Sequence, residues 1–517
     1  MLCVLEDEKK RLAMNQRKIG ISISYINIVL HAMMGFVYVP LLLHFIGKSE
    51  YGLYQLIGSF IAYFSIMDFG LTAAVVRFYT KYKAEGNKEE MENILAISLR
   101  AYCFITVVLL MVGSWFYFNI GIIFSDSMTT IEIESAKKLF LLLLFNIVIT
   151  ISTMIFRAVI NAHEKYLVLK GLETVQLVLQ PLMVLLLLQQ YPSALSVAII
   201  QTILNIILIV ARIYYCFLKL GVSIKFHYWD KKLFSDFKRL ALSVFAVTLI
   251  DQIFFKTNQV ILGIVSGTTA VAIYSIASLV YMNYMALSTA ISGVYLPHIT
   301  ELITNNEPVK KLSDLFLQIG RWQYYLLALV ASGFIIFGQR FIEIWAGNGF
   351  EDAYWITLLI IIPFTIDLIQ NIGLSIMQAQ NKYDFRAKVY FCMGIFNLLI
   401  AIPLAKEYGG IGCAFATGLS MFLGNGLIMN WYYDRVTGLD IKSFWKQIGK
   451  ISIGVIPLTI IGYGINYFLG SLNLIMYLFS IVIYTILYCL AMYKVFMNNV
   501  EKEKVNRVLR RFSIMSR

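Results

Sequence analysis

Charged residues are scarce in this chain: they make up 14% of its 517 residues, whereas hydrophobic residues make up 59%. Average soluble domains carry roughly 25% charged residues, so the composition excludes an ordinary soluble globular protein. Apolar runs long enough to cross a hydrocarbon core about 30 Å thick recur from end to end. The alternating segments of a transmembrane β-barrel are missing. The composition therefore indicates an all-α polytopic membrane protein.

Several chemical signatures are also missing. The six cysteines are scattered, and no pair has the spacing of metal ligands, so we expect neither a disulfide framework nor a metal site. No glycine-rich phosphate loop or Walker motif is present, and no catalytic motif stands out, so we expect no enzymatic activity and no cofactor. The net charge of +13 is explained by basic residues that flank membrane helices. No nucleic-acid partner is expected.

Fourteen apolar spans are predicted between short polar segments. They are residues 19–45, 53–78, 94–118, 138–160, 167–189, 194–218, 240–265, 270–298, 314–338, 354–378, 387–405, 410–433, 447–469 and 472–496. If the N-terminus is cytoplasmic, most lysines and arginines fall in cytoplasmic segments. The outer segments then hold only Lys48, Lys137, Lys138, Arg340 and Lys406. This bias predicts that both termini are cytoplasmic.

A long internal repeat organises these spans. Gly47 and Gly52 bracket a predicted turn. Gly47 and Tyr54 recur as Gly267 and Tyr274, about 220 residues later. Further pairs at similar separations are Arg100 with Arg321, Ala162-His-Glu-Lys-Tyr166 with Ala379-Gln-Asn-Lys-Tyr383, and Tyr214-Tyr215 with Tyr432-Tyr433. The sequence therefore predicts two copies of a six-helix unit. Because each copy has an even number of spans, both copies have the same orientation in the membrane.

The repeat predicts a division of the chain into six segments. They are a cytoplasmic N-terminus (1–18), an N-lobe of helices 1–6 (19–218), a basic cytoplasmic linker (219–239), a C-lobe of helices 7–12 (240–434), two extra helices (435–497) and a basic amphipathic cytoplasmic tail (498–517). The tail reads as a short helix on the inner leaflet. The fold expected is two repeated six-helix lobes around a central cavity, with two additional C-terminal helices.

Polar residues inside the spans are the candidate functional residues, because each is costly in hydrocarbon. Those on one polar face of helix 7 include Asp251, Gln252, Lys256 and Gln259, and those on one face of helix 10 include Asp367 and Asn371. We expect both faces to line a wet cavity. The alternative is that Asp251 or Asp367 only pairs with a neighbouring helix.

Four further residues carry a weaker signal. Asp68 has only Ser65 and Thr72 near its helix face, so a structural pair explains it equally well. Arg77, Arg100 and Arg321 lie near inner helix ends, where snorkelling to the interface is an equally good explanation. If these arginines point inward, they form a basic mouth for an anionic headgroup.

Three motifs resemble those of a known family. They are Gly47-x-x-x-Tyr51-Gly52-x-Tyr54, then Asp68-Phe69-Gly70-Leu71 followed by Arg77, and the Ala-x-x-Lys-Tyr turns after helices 4 and 10. The chain is similar to bacterial polysaccharide flippases, the O-antigen-unit branch of the multidrug/oligosaccharidyl-lipid/polysaccharide exporter superfamily. The resemblance implies alternating access in the bacterial inner membrane. The implied cargo is an undecaprenyl-diphosphate-linked oligosaccharide, and the implied partners are membrane lipids, a polysaccharide polymerase and other assembly proteins.

The resemblance also implies a cationic cavity for the diphosphate-sugar. The cargo-contact candidates are Lys256, Arg77, Arg100, Arg321, Gln252, Gln259 and Asn371, and the ion-coupling candidates are Asp251, Asp367 and Asp68. Helix 1 has no arginine between Ile19 and Phe45, unlike lipid II flippases, which argues against lipid II as cargo. The alternative is a cation-coupled multidrug-type antiporter with Asp251 or Asp367 as its cation site. The excess of basic candidates favours the flippase.

Overall fold

The structure is a computed structural model that describes residues 2–229, 245, 248–249, 252–380, 382–469 and 473–515. Every regular element in these ranges is helical. The helices are α1 (Leu2–Ser65), α2 (Leu71–Ala84), α3 (Lys88–Ile123), α4 (Thr130–Ala162), α5 (Tyr166–Leu188), α6 (Ala194–Tyr214), α7 (252–265), α8 (Gly267–Ser292), α9 (Leu296–Thr304), α10 (Val309–Ala346), α11 (Asp352–Leu368), α12 (Asn371–Ala379), α13 (Tyr383–Met421), α14 (Met429–Tyr432), α15 (Ile441–Leu469), α16 (Leu474–Ala491) and α17 (Asn499–Met515).

The two longest helices each contain a glycine that breaks the helix between two predicted spans. Gly47 in α1 has a φ of 76°, and Gly409 in α13 has a φ of 54°. Glycine adopts these left-handed values readily because it has no Cβ. Each long helix therefore supplies two spans. The turn predicted at Gly47 is confirmed.

Ten described helices are long and apolar enough to cross a membrane, and α11 with α12, bent by 42°, makes an eleventh span. Division at Gly47 and Gly409 adds two more. The remaining predicted span, 240–265, lies largely outside the described residues, and its described part is α7. The all-helical, multi-pass membrane fold predicted from the sequence is confirmed.

The helix boundaries repeat as the sequence predicts. α4 ends at Ala162 and α5 begins at Tyr166, and in the second half α12 ends at Ala379 and α13 begins at Tyr383. The sixth and twelfth predicted spans close with π-helical segments, at Tyr215–Lys219 and Tyr433–Thr437. Turns and helix defects thus recur at the spacing of the sequence repeat.

Contacts divide the chain into two compact units. The first comprises Met1–Ser275 with Ile402–Gly410, and the second comprises Ile276–Ala401 with Ile411–Arg517. The first unit therefore includes α7 and the beginning of α8 in addition to the predicted N-lobe. The predicted lobe boundaries stay predictions.

A carboxylate joins three helix ends in the first unit. Glu132, in the first turn of α4, accepts hydrogen bonds from Ser49 Oγ at 2.6 Å and from Thr268 Oγ1 at 2.9 Å. It also accepts from the backbone N–H of Thr129 at 2.9 Å, which completes a capping box for α4. The network fixes the turn after Gly47 against the beginnings of α4 and α8.

Gly52 allows the close approach of two helices at this network. A Cβ on Gly52 would lie 1.9 Å from the carbonyl oxygen of Thr268. The sequence interpretation placed Gly52 at the edge of a turn, but the structure places it inside α1. Its small size is needed for packing against α8, because any side chain would collide with that backbone.

The described part of the predicted linker binds the beginning of α3. His227 Nε2 lies 2.9 Å from Glu92 Oε2, and Ser223 donates a hydrogen bond to the same carboxylate. The backbone N–H of His227 donates to Asn93 Oδ1 at 3.2 Å. The linker is therefore attached to the first unit up to this point. Its remaining residues, 230–239, lie outside the described residues.

The extra C-terminal helices are attached to α10 in the second unit. Three buried tyrosines of α16 donate hydrogen bonds to α10: Tyr477 to Phe337 O at 3.0 Å, Tyr484 to Ser332 Oγ at 2.7 Å and Tyr488 to Tyr325 O at 3.0 Å. Buried phenolic groups in an apolar environment need such partners. These bonds specify which helix the additional pair packs against.

Candidate functional site

Lys256 is a predicted cargo contact whose charge has no partner among the described residues. It is partly exposed on α7, and within the described ranges its ammonium has neither a hydrogen-bond nor an ion-pair partner. Gln252 lies one turn earlier, on the same helix face. Its Oε1 is buried and has no hydrogen-bond partner there. The pair offers a cation and a carbonyl acceptor to a polar ligand. Asp251 lies outside the described residues.

Gln259, one turn after Lys256, already has partners at both ends of its amide. It is 2% exposed. Its Oε1 accepts a hydrogen bond from Ser59 of α1, and its Nε2 donates to Ser275 Oγ of α8 at 3.0 Å. These contacts make Gln259 a connector of three helices. Its role as a cargo contact stays a prediction.

Asp68 lies at a helix break that the sequence interpretation missed. A 3-10 turn, Ile66–Asp68, follows the end of α1, and Phe69 and Gly70 then adopt left-handed φ values of 48° and 69°. Such a value is uncommon for a residue with a Cβ and often marks a functional position. Asp68 Oδ1 accepts hydrogen bonds from Thr72 Oγ1 and Tyr102 OH, both at 2.9 Å. Two turn-forming residues, aspartate and glycine, inside an apolar run were the available signal.

The repeat places a related polar bridge in the second unit. Gln323 Nε2 donates to Ser288 Oγ at 3.0 Å. Gln323 follows Tyr102, and Ser288 follows Asp68, by about 220 residues, which is the separation of the repeat. The bridge between these two helices is therefore present in both copies, but only the first copy has an ionisable acid there.

Asp367 has a basic partner on a neighbouring helix. Its Oδ2 accepts a hydrogen bond from Tyr390 OH at 3.2 Å and lies 3.9 Å from Arg386 Nη2. Arg386 was assigned to a polar segment between spans, but α13 begins at Tyr383 and carries it. These contacts support the alternative in which Asp367 pairs with a neighbouring helix. Asn371 is partly exposed at the beginning of α12, directly after the bend.

The three arginine candidates lie in different environments. Arg77 is exposed, with its guanidinium 5.9 Å from the ring centre of Phe78. Arg100 is exposed and lies 3.6 Å above the ring of Phe226, which belongs to the predicted linker. This short cation–π contact gives Arg100 a role in holding the linker. The roles of both as cargo contacts stay predictions.

Arg321, in contrast, is buried in a dense set of contacts in the second unit. Its Nε and Nη2 donate to the two carboxylate oxygens of Glu501, each at 2.7 Å. Nη1 donates to Gln447 Oε1 at 2.8 Å, and Nη2 also donates to Tyr325 OH at 2.7 Å and Phe496 O at 3.0 Å. The side chain is 6% exposed, so a cargo contact would require these bonds to break. That predicted role is untested.

An apolar cavity of about 430 Å³ lies between α10, α11 and α15 of the second unit. Most of its lining is aliphatic, including Ala328, Ile366 and Val455. Two of its few hydroxyl groups, those of Tyr324 and Ser452, are bonded to each other at 2.6 Å. The cavity is therefore suited to hydrocarbon rather than to a sugar.

A multi-pass helical bundle with ionisable groups at helix breaks and an unpaired cation within a span is typical of membrane transporters. Residues 18–303, more than half of the chain, match the family described as "Polysaccharide biosynthesis protein". The chain belongs to this family.

Two relatives support this membership over most of their length. The chain is 24% identical over 443 residues to "Uncharacterized membrane protein EpsK" of Bacillus subtilis, covering 81% of this chain and 84% of that protein. It is 22% identical over 407 residues to "Putative O-antigen transporter" of Shigella flexneri, covering 76% of this chain and 91% of that protein. The second relative is named as a transporter and not as an enzyme.

Solved structures show the same fold. The lipid II flippase MurJ, in an inward closed conformation, aligns with a TM-score of 0.70 at 17% identity, covering 92% of this chain and 99% of that one. An inward-facing multidrug resistance transporter of the MATE family aligns with a TM-score of 0.57 at 14% identity, covering 81% and 96%. At these identities the likeness concerns the fold alone.

Proposed function

We propose that this chain moves a polyprenyl-diphosphate-linked oligosaccharide unit from the inner to the outer leaflet of the bacterial inner membrane, by alternating access, for cell-surface polysaccharide synthesis. Family membership supports flipping of a lipid-linked sugar as the general activity. The observation that carries the proposal is the ammonium of Lys256, which has no partner within the described ranges. A polysaccharide polymerase and other assembly proteins are the partners that receive the cargo.

Lys256 needs an anion or water, because a lone ammonium inside hydrocarbon costs at least about 2.5–3.5 kcal/mol. It lies about 14 Å from the last residue of α7, at roughly 1.5 Å per residue, too deep for its side chain to reach that interface. A diphosphate supplies the missing charge, and the Gln252 carbonyl, which has no partner among the described residues, accepts a hydrogen bond from a sugar hydroxyl. The multidrug-type alternative requires a cation site, and this unpaired group is itself a cation.

The apolar cavity of the second unit supports a cargo with a hydrocarbon chain. Its volume of about 430 Å³ and its aliphatic lining are suited to several isoprene units of a lipid tail. The polar part of the cargo would bind elsewhere, because few polar groups line this cavity.

Among the coupling candidates, Asp68 is the better proposal for a proton or cation site. Its side-chain partners, Thr72 and Tyr102, donate from hydroxyl groups, which do not neutralise a carboxylate. Asp367 has Arg386 beside it, so part of its charge is already compensated. Asp251 stays a sequence-based candidate.

Glycan export by a strain that lacks the chromosomal copy tests the proposal. Lys256→Ala should abolish surface polysaccharide and cause the lipid-linked intermediate to accumulate, at normal protein abundance. Lys256→Arg should retain partial export, because the charge survives while its geometry changes. Lys138→Ala is the matched control, since Lys138 is an exposed lysine that pairs with Glu134 on its own helix. Normal export by Lys256→Ala, or loss explained by low abundance, contradicts the role of Lys256.

A further inference from the structure

Three basic side chains converge in the first unit where α4 ends, α5 begins and α6 ends. Arg157 Nη2 and Lys170 Nζ each donate to a different oxygen of Glu173, both at 2.8 Å. Arg212 lies close enough to interact electrostatically with Arg157 and Glu173. The single negative charge of Glu173 is thus shared by at least two cations. We call Arg157, Lys170, Glu173 and Arg212 the α4–α6 cluster.

The α4–α6 cluster has an unsatisfied donor as well as an excess of positive charge. Arg212 Nε is buried and has no hydrogen-bond partner in the described part of the chain. Arg157 is 47% exposed and already shares Glu173 with Lys170. A buried guanidinium donor without an acceptor destabilises the folded protein. An anion that enters beside Glu173 would supply the acceptor and the missing negative charge.

The surface beside the cluster is apolar. On α5, Val175, Leu182 and Leu186 are 55%, 54% and 62% exposed, and on α6, Ile207 and Val210 are 55% and 58% exposed. Glu173 lies about 10 Å from the beginning of α5, at roughly 1.5 Å per residue, in the third of the helix that the sequence predicts to be nearest the cytoplasm. A ligand there has its charge at the helix ends and its hydrocarbon along α5 and α6. That arrangement describes a membrane lipid.

We propose that the α4–α6 cluster binds the phosphate of an anionic glycerophospholipid in the adjacent leaflet, which the sequence predicts to be the cytoplasmic one. Guanidinium groups present paired donors that match phosphate oxygens. Basic pockets between membrane helices bind anionic headgroups in this way. The inference does not use Lys256 and is independent of the cargo that the chain carries.

Lipid binding to the purified full-length protein tests the proposal. The protein is delipidated in detergent and offered phosphatidylglycerol and phosphatidylcholine in equal amounts, and bound lipid is counted by native mass spectrometry. The double variant Arg157→Gln/Arg212→Gln should retain about tenfold less phosphatidylglycerol, because charge-assisted hydrogen bonds to the phosphate are lost. The matched control is Arg435→Gln/Arg507→Gln, which removes two arginines that are 74% and 70% exposed.

A second variant separates lipid binding from a purely structural role. Glu173→Gln keeps the cations and removes their carboxylate, so phosphatidylglycerol should bind at least as well as to the wild type. Equal phosphatidylglycerol retention by the cluster variant and the control would overturn the proposal. So would equal binding of the two lipids, displacement by inorganic phosphate, or preference for farnesyl diphosphate, which would indicate a site for prenyl-diphosphate cargo. Size-exclusion elution confirms that each variant is folded.

Discussion

The ion pair between Arg321 and Glu501 provides a sharp test of how the C-terminal helix is held. Glu501 lies in the first turn of α17, and its side chain is 2% exposed. It also caps its own helix, because its Oε2 accepts from the backbone N–H of Asn498 at 2.9 Å. The perturbation is Glu501→Gln, which keeps the shape and removes the charge.

The expected loss follows from the burial of both partners. Removal of one partner from a buried ion pair costs about 3–5 kcal/mol, because the other charge is left uncompensated. Glu503→Gln is the matched control on the same helix. Glu503 pairs with Arg507 one turn later, and their side chains are 74% and 70% exposed. Loss of such an exposed pair costs about 0.3–0.5 kcal/mol.

The assay has two readouts on purified protein. Thermal unfolding in detergent measures stability, and the rate of trypsin cleavage within α17 measures release of the helix. Glu501→Gln should lower the melting temperature and increase the cleavage rate, whereas Glu503→Gln should change neither. If the two variants behave alike, the ion pair does not hold α17. If Arg321→Lys abolishes glycan export at unchanged stability, Arg321 contacts cargo as the sequence predicted.

Three further predictions concern topology, packing and pH. Reporter fusions should read outside at Ser127, Gly267 and Asn348 and inside at Asn87, Asn306 and Lys442, and one inverted result would contradict the predicted span count. Gly52→Ala should lower the melting temperature, because its Cβ would lie 1.9 Å from a backbone oxygen, whereas Gly58→Ala, with nothing within 4 Å, should be neutral or stabilising. Burial and two neighbouring lysines lower the pKa of His163, in the α4–α5 turn, from 6.5 to about 4. The folded state therefore favours neutral imidazole, and its stability should be complete above pH 6.5 and fall as the pH drops toward 4. His163→Gln should reduce this dependence in melting measurements, and an unchanged pH profile would contradict it.

Much of the fold could be predicted from the sequence because each membrane span is recognisable from a local run of residues. Each needs about twenty apolar residues, and a glycine such as Gly47 marks the turn between two of them. The repeat also predicted where turns recur, as at Ala162 and Ala379. The break at Asp68 was missed because its flanking residues are apolar enough to read as one continuous helix. The packing role of Gly52 was missed because the group that it packs against, the carbonyl of Thr268, is more than 200 residues away in the sequence.

The candidate site could be predicted only as a set of polar residues. The cost of a charge in hydrocarbon depends on its partner, and partners are distant in sequence. Arg321 is matched by Glu501, which lies in a different helix and in a segment predicted to be a surface tail. Gln259 is matched by Ser59 and Ser275. Helix periodicity places such residues on a face but does not show what that face contacts.

These basic residues therefore differ in whether the protein already provides a partner for their charge. Arg321 and Arg386 each have a carboxylate partner within the second unit, so their charges are at least partly compensated there. In the first unit, Lys256 has no partner and Arg212 has an unsatisfied donor within the described ranges. An anion at either site would gain the interaction that the protein itself leaves unmade. One site lies within a span and the other near a helix end, so removal of Lys256 should affect cargo transport and removal of the α4–α6 cluster cations should affect bound lipid.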